Sequence, residues 1–249
     1  MGMTPDQIEA ATVALRGISG LLEGKHLPGQ HNQQDHGRRG PSFDTFAGMA
    51  KKLSKLARSN EYMEGPDLAL QAMAKLSGHD AKPKIVSREQ MDALKKNGST
   101  MWYRGMPNKA HAKQLRSGKY WAGKGYSGNG TYATTVLSTA RSYAHFGSLV
   151  RMTTAPGANV IPYSELRRQQ KSWRSNWGKR HLKAHKAKDS AALDALNDEY
   201  ATFVDLGRFA EAKGIDGFTR SGDVYSESGK ILVMLNRGAL IVEATDVDR

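Results

Sequence analysis

Between Met101 and Thr135, this 249-residue chain gathers side chains suited to holding a flat, charged ligand. Arg104-Gly105 closes the apolar run Met101-Trp102-Tyr103 and so puts a planar, permanently charged guanidinium at a strand end. Gly125, Gly128 and Gly130 punctuate the loop that follows. Glycines there let the main chain approach a flat or phosphorylated ligand closely. Tyr132, in the short strand after the loop, offers a ring for stacking, and Thr134 and Thr135 add two hydroxyls. The plainer readings are a surface arginine, a half-buried strand aromatic and ordinary strand-end threonines.

A second group of residues is cationic. From Arg104 to Lys188 the chain has 17 Lys and Arg against one acid, Glu165, a local balance of 17 − 1 = +16 that exceeds the whole chain's net charge of +13. Such a block favours polyanions: nucleic acid, phosphates or an acidic protein surface. Residues 167–188 are its densest part, and Arg167, Arg168, Lys171, Arg174, Lys179, Arg180 and Lys183 are the candidate contacts. Trp173 and Trp177, four apart, would share one helix face. Either they stack on bases while the cations meet phosphates, or they anchor the helix to the core and the charges are simply solvated. His181 and His185 have no third ligand nearby, and His26, His31 and His36 lack standard zinc spacing, so no metal is expected.

These residues need a folded scaffold. A hydrophobic fraction of 39% with 26 glycines supports a packed core. The absence of cysteine excludes disulfides and Cys-ligated zinc. No apolar run reaches the roughly 18 residues that span a bilayer, and no secretory signal is expected at the N-terminus. Residues 4–23 read as a helix with Thr4 as cap and Pro5 in its first turn, and the polar Gly- and Pro-rich stretch 24–41 as a linker. Residues 43–58 and 66–77 read as helices within a helical region 42–98. Lys84–Val86 reads as a strand, and Ser87 with Gln90 as a capping box. From about 99 to the end, strands near 101–103, 131–134, 149–153 and 215–218 alternate with helices at 108–117, 138–144 and 202–213. A polar helical insertion occupies 162–200. Residues 230–235 and 239–243 read as a closing hairpin around Asn236-Arg237-Gly238. The fold class expected is α+β.

Gly128-Asn129-Gly130-Thr131-Tyr132-Ala133, then Ser138-Thr139-Ala140-Arg141-Ser142-Tyr143, resembles the glycine-loop and helix run of the ADP-ribosyltransferase superfamily. So do Tyr103-Arg104-Gly105 and the strand pair 231–236 and 239–242. The resemblance covers about 100–246 and mixes two branches of the family. It implies a split β-sandwich with flanking helices, preceded by the helical N-terminal region, and NAD as a substrate rather than a resident cofactor. It also implies ADP-ribose transfer to a host protein or nucleic acid. It assigns Arg104, Gly105, Gly128, Gly130, Thr131, Tyr132, Thr134, Thr135 and Tyr143 to NAD. In the family, a carboxylate just upstream of the closing strands holds the ribose as the nicotinamide bond breaks. Glu227 is the best match, with Asp223 as fallback, although the family's Glu stands nearer the strand, about where Gly229 to Ile231 fall. Arg104, Tyr132 and Glu227 thus form the expected catalytic set.

Gly24-Lys25-His26-Leu27-Pro28-Gly29-Gln30-His31-Asn32-Gln33-Gln34-Asp35-His36-Gly37 resembles a linker motif of head-associated minor proteins of tailed phages. It implies a phage-encoded protein, located in the virion or the host cytoplasm, with DNA or a head component as a further partner. The alternative functions are a catalytically silent, DNA-contacting head protein with a transferase-like fold, and an NAD glycohydrolase toxin.

Overall fold

A computed structural model describes residues 50, 53–54, 56–58, 67–119, 125, 127–221 and 229–247. The expected helix 4–23, the linker 24–41 and the first part of the 43–58 helix lie outside the described residues. Ala50, Leu53, Ser54, Leu56, Ala57 and Arg58 are helical, in keeping with the 43–58 pattern.

Side-chain caps set most helix starts. Asp67 accepts the Ala69 and Leu70 N–H groups at 3.0 and 3.1 Å and opens α1 (Leu68–Ser77). After β1 (Lys84–Val86), Ser87 and Gln90 form the expected capping box of α2 (Arg88–Lys96). β2 (Trp102–Met106) leads to α3 (Lys109–Arg116), capped by Asn108. β3 (Thr131–Thr134), α4 (Leu137–Ala144), β4 (Ser148–Thr154) and β5 (Val160–Pro162) follow. Two helices, α5 (Tyr163–Ala187) and α6 (Ser190–Phe203), fill the expected insertion. The chain continues through α7 (Leu206–Ala212), β6 (Gly217–Ser221), β7 (Lys230–Met234) and β8 (Leu240–Glu243).

Two expectations are corrected. The helix expected over 202–213 breaks at Val204-Asp205. There Asp205 caps a new helix by accepting the Arg208 N–H at 2.9 Å. The carbonyls freed at Phe203 and Val204 accept from the Gln170 and Arg174 side chains. The expected closing hairpin does not form either: β7 pairs with β3 and β6, whereas β8 pairs with β4 and β1. A 3-10 turn, Arg237–Ala239, carries the chain across instead. Its buried Arg237 guanidinium donates to the Gly118 and Asp80 carbonyls, and Asn236 Nδ2 donates to Asp216 Oδ1 at 2.6 Å. These anchors hold the turn in a course that a two-residue hairpin turn would not follow.

Among the described residues, eight strands form one mixed sheet in the order β1-β8-β4-β2-β3-β7-β6-β5. The α+β class is therefore what the chain adopts. The register between β2 and β4 runs over five residue pairs, and that between β3 and β7 over four. Between β2 and β3 a single pair, Tyr103↔Thr134, joins the two four-strand halves. One sheet face carries Trp102, Met106, Ala133, Val150, Met152, Leu232 and Met234, and packs with Ala112 and Leu115 of α3. On the opposite face Val86, Met91, Met101 and Ile241 form a smaller core with Tyr103 against it.

Candidate functional site

The junction between the half-sheets brings Arg104, Tyr132 and Thr134 next to one another on paired strands. With Tyr103 opposite Thr134, strand alternation puts Arg104 on the face of Trp102 and Met106, and Tyr132 and Thr134 on the other. Arg104 and Tyr132 nevertheless meet, because Arg104 Nη1 donates to the Tyr132 main-chain carbonyl across the junction. The guanidinium thus occupies the gap where the ladder has its fewest pairs.

The Tyr132 ring lies under the glycine loop. Its hydroxyl accepts the Ser127 N–H at 2.9 Å and donates to the Gly128 carbonyl. A Cβ on Gly125 would stand 2.1 Å from the ring. Burial pushes the phenol pKa up to about 12, so it stays a neutral hydrogen-bond donor at physiological pH. The other loop glycines also close on protein. Gly128 has φ +113 and abuts Leu206 and Gly207, while a Cβ on Gly130 would meet Val233 at 2.4 Å. Gly105 faces α4 so closely that a Cβ would stand 1.9 Å from the Ala140 carbonyl oxygen. Thr131 is buried, and Tyr143 stands 67% exposed in the last turn of α4, about 10 Å along that helix from Val136.

A buried polar network fixes the loop from beneath. Asn129 Nδ2 donates to Asp67 Oδ2, which also accepts Arg208 Nε at 2.8 Å. The Asn129 N–H donates to Asp205 Oδ2 at 3.3 Å. Burial raises the Asp205 pKa above the usual aspartate value, against the lowering effect of the Arg208 N–H and guanidinium. One network therefore ties the starts of α1 and α7 to the loop.

The hydroxyls lie at the other end of β3. Thr134 Oγ1 accepts the Val136 N–H at 3.1 Å, and Thr135 Oγ1 accepts the Lys230 N–H at 2.9 Å. Gly229 packs against Val136 and Thr135. Glu227 and Asp223 lie outside the described residues, in the connection whose ends are the Ser221↔Lys230 pair and Gly229. That connection rejoins the sheet at Gly229 and Lys230, beside Thr135, one residue past the junction pair, whereas it leaves from Ser221 on the far side of β7.

Arg220 is a site residue that the sequence reading did not single out. The register Arg220↔Ile231↔Thr134 puts it on the face of Tyr132 and Thr134. Its Nη1 donates to Ser127 Oγ at 2.8 Å, and its guanidinium lies 5.5 Å from the Tyr163 ring centroid. Period-2 alternation in β6 was the available signal, but it needed the register to give it a direction.

On α5 the predicted cations divide. Arg180 pairs with both Glu199 oxygens at 2.8 and 2.6 Å, Arg174 donates to the Val204 carbonyl at 3.0 Å, and Arg168 pairs with Glu165. Arg167, Lys171, Lys179 and Lys183 are exposed. Both tryptophans turn inward. Trp173 is 7% exposed and donates to Glu199 at 2.7 Å, while Trp177 donates to the Leu196 carbonyl at 2.8 Å and packs on Tyr200.

Among the described residues, no group of three or more His, Cys, Asp or Glu could hold a metal ion. No described helix is long and apolar enough to cross a membrane. No protein-family model, curated protein or solved structure matches the chain.

Proposed function

We propose that this chain is an NAD-dependent mono-ADP-ribosyltransferase, passing ADP-ribose from NAD to a macromolecular acceptor with release of nicotinamide. The observation that carries the reading is the β2/β3 junction. One residue pair joins two half-sheets, Arg104 reaches across, and Gly229, which follows Glu227 in the chain by two residues, packs on Thr135 at the end of β3. A split sheet is what the superfamily resemblance implies.

The donor set suits a dinucleotide. Arg220, on the face of Tyr132 and Thr134, offers a guanidinium fork that suits pyrophosphate oxygens, while Arg104 closes the junction from the opposite face. Tyr132 acts on the loop through its hydroxyl, and the neutral phenol keeps Ser127 and Gly128 in place. NAD supplies the ADP-ribosyl group, with nicotinamide as the leaving group. Glu227 accepts the ribose 2′-hydroxyl hydrogen bond and offsets the positive charge that grows on the sugar.

One observation favours the catalytically silent head-protein reading: Tyr132, α7 and Val233 fill the space beside the loop glycines. Incubation of the full chain with labelled NAD and bacterial lysate, beside Glu227→Gln, separates the two. Labelled bands that vanish in the variant support the transferase. Free nicotinamide without bands means a glycohydrolase. Neither signal, together with no NAD binding by calorimetry, leaves the silent fold.

A further inference from the structure

The exposed side of α5 is a cationic ridge in two parts, Arg168 and Lys171 near its start and Lys179, Lys183 and Lys186 in its second half, with Ser172, Ser175 and Asn176 between them. The helix buries Leu166, Gln170, Trp173 and Ala184, and its opposite side carries Arg168, Lys171, Lys179, Lys183 and Lys186. Among the described residues, α5 contributes two ion pairs, Arg168–Glu165 and Arg180–Glu199, and the four lysines take part in neither. Folding therefore leaves a row of like charges side by side, which costs stability in the isolated chain. A ligand with a matching row of negative charges removes that cost.

We infer that this ridge binds the phosphate backbone of a nucleic-acid duplex. Three observations select the duplex. The helix has 25 residues and is about 37 Å long by its rise, close to one duplex turn of about 34 Å. Trp173 and Trp177, the aromatics that would stack on the bases of a single strand, are committed to Glu199, Leu196 and Tyr200. The apolar side of α5 is turned inward and Leu182 is the one large apolar side chain exposed on it, so the helix has no face to lay into a lipid surface. Contact through phosphates alone reads no sequence, and binding is governed by counterion release. Tyr163, in the first turn of α5, packs on Phe218 and lies under Arg220, so a duplex along the ridge runs toward the candidate site.

Fluorescence anisotropy of the full chain with a labelled DNA duplex of about 20 base pairs, two helical turns, tests this without NAD. The outcome is therefore separate from that of the transferase reading. Four lysine–phosphate contacts predict that affinity falls about a hundredfold between about 50 and 200 mM salt. The triple variant Lys171→Glu, Lys179→Glu, Lys186→Glu should bind at least about tenfold more weakly. The equally charged control Lys95→Glu, Lys109→Glu, Lys113→Glu should stay within about twofold. If charge reversal lowers the melting temperature, Lys→Gln at the same three ridge positions replaces it, with the same expected direction. The inference is overturned by any of four results: no duplex binding at about 50 mM salt, an unchanged ridge variant, an equal loss in the control, or tighter binding to anionic phospholipid vesicles than to the duplex.

Discussion

Arg104, Arg220 and Gly105 show how one residue's surroundings set its role. Arg104 bridges the half-sheets, so Arg104→Ala should both weaken NAD binding and cost about 1–2 kcal/mol through lost hydrogen bonding. Calorimetry and urea titration read the two effects separately, and unchanged NAD affinity would remove Arg104 from the ligand site. Arg220 holds one hydroxyl and an aromatic ring. Arg220→Ala should therefore lower NAD affinity by about tenfold, the worth of one charge-assisted bond, with a small change in melting temperature. Gly105→Ala drives a methyl into the Ala140 carbonyl, and a loss of about 1–3 kcal/mol in urea titration is expected. A stable Gly105→Ala protein would mean that α4 can lift away from β2. Arg104 and Tyr132 were legible as site candidates because an Arg-Gly pair after an apolar run and a Gly-rich loop are local patterns, although the strand expected to end there runs on to Met106 and leaves Arg104 in its middle. Gly105 was read only as an NAD contact implied by the resemblance, whereas the close neighbour that excludes a side chain there is α4, 35 residues along the chain.

At the scale of elements, α5 is held by its tryptophans. Trp173→Ala should cost about 3–5 kcal/mol and leave Glu199 short of a donor, whereas the half-buried Trp177 should cost less. Thermal melts of the two variants give the order, and the reverse order would shift the anchor to Trp177. The glycine loop adds a pH dependence through Asp205. A folded-state pKa raised by burial means that Asp205 contributes stability while protonated, and that this is lost as pH rises through the raised value. Melting temperature measured against Asp205→Asn should therefore move in favour of the natural protein as pH falls from neutral toward the usual aspartate range. A difference that stays constant with pH would contradict the assignment. The break between α6 and α7 could have been noticed at Asp205, a preferred cap, yet Thr202–Lys213 also reads as one helix. Gln170 and Arg174 decide between them by satisfying the carbonyls that the break exposes.

For the whole molecule the decisive feature is the crossing between β7 and β8. Arg237→Ala leaves the Gly118 and Asp80 carbonyls without their guanidinium donor, and a loss of about 1–3 kcal/mol is expected. If the two half-sheets are one cooperative unit, urea unfolding of that variant remains a single transition. Two separated transitions would show that the seam at Tyr103↔Thr134 divides independently folding halves. Strand and helix positions were readable along the chain because caps and hydrophobic periodicity are local, as Ser87 with Gln90 and the 230–235 and 239–243 runs illustrate. Strand partners were not. Two adjacent strands with a short connection suggest a hairpin, and only the anchors of Arg237 and Asn236, on residues far away in sequence, carry the chain across the sheet. The same reasoning divides the basic segment. Its charge excess can be counted directly, whereas the cations that remain available emerge only once Glu199 and the Val204 carbonyl have taken theirs. Composition and short-range pattern thus specify which groups are present and which elements carry them. Long-range pairing sets which of those groups face one another, because the energies that select partners arise between residues distant in the chain.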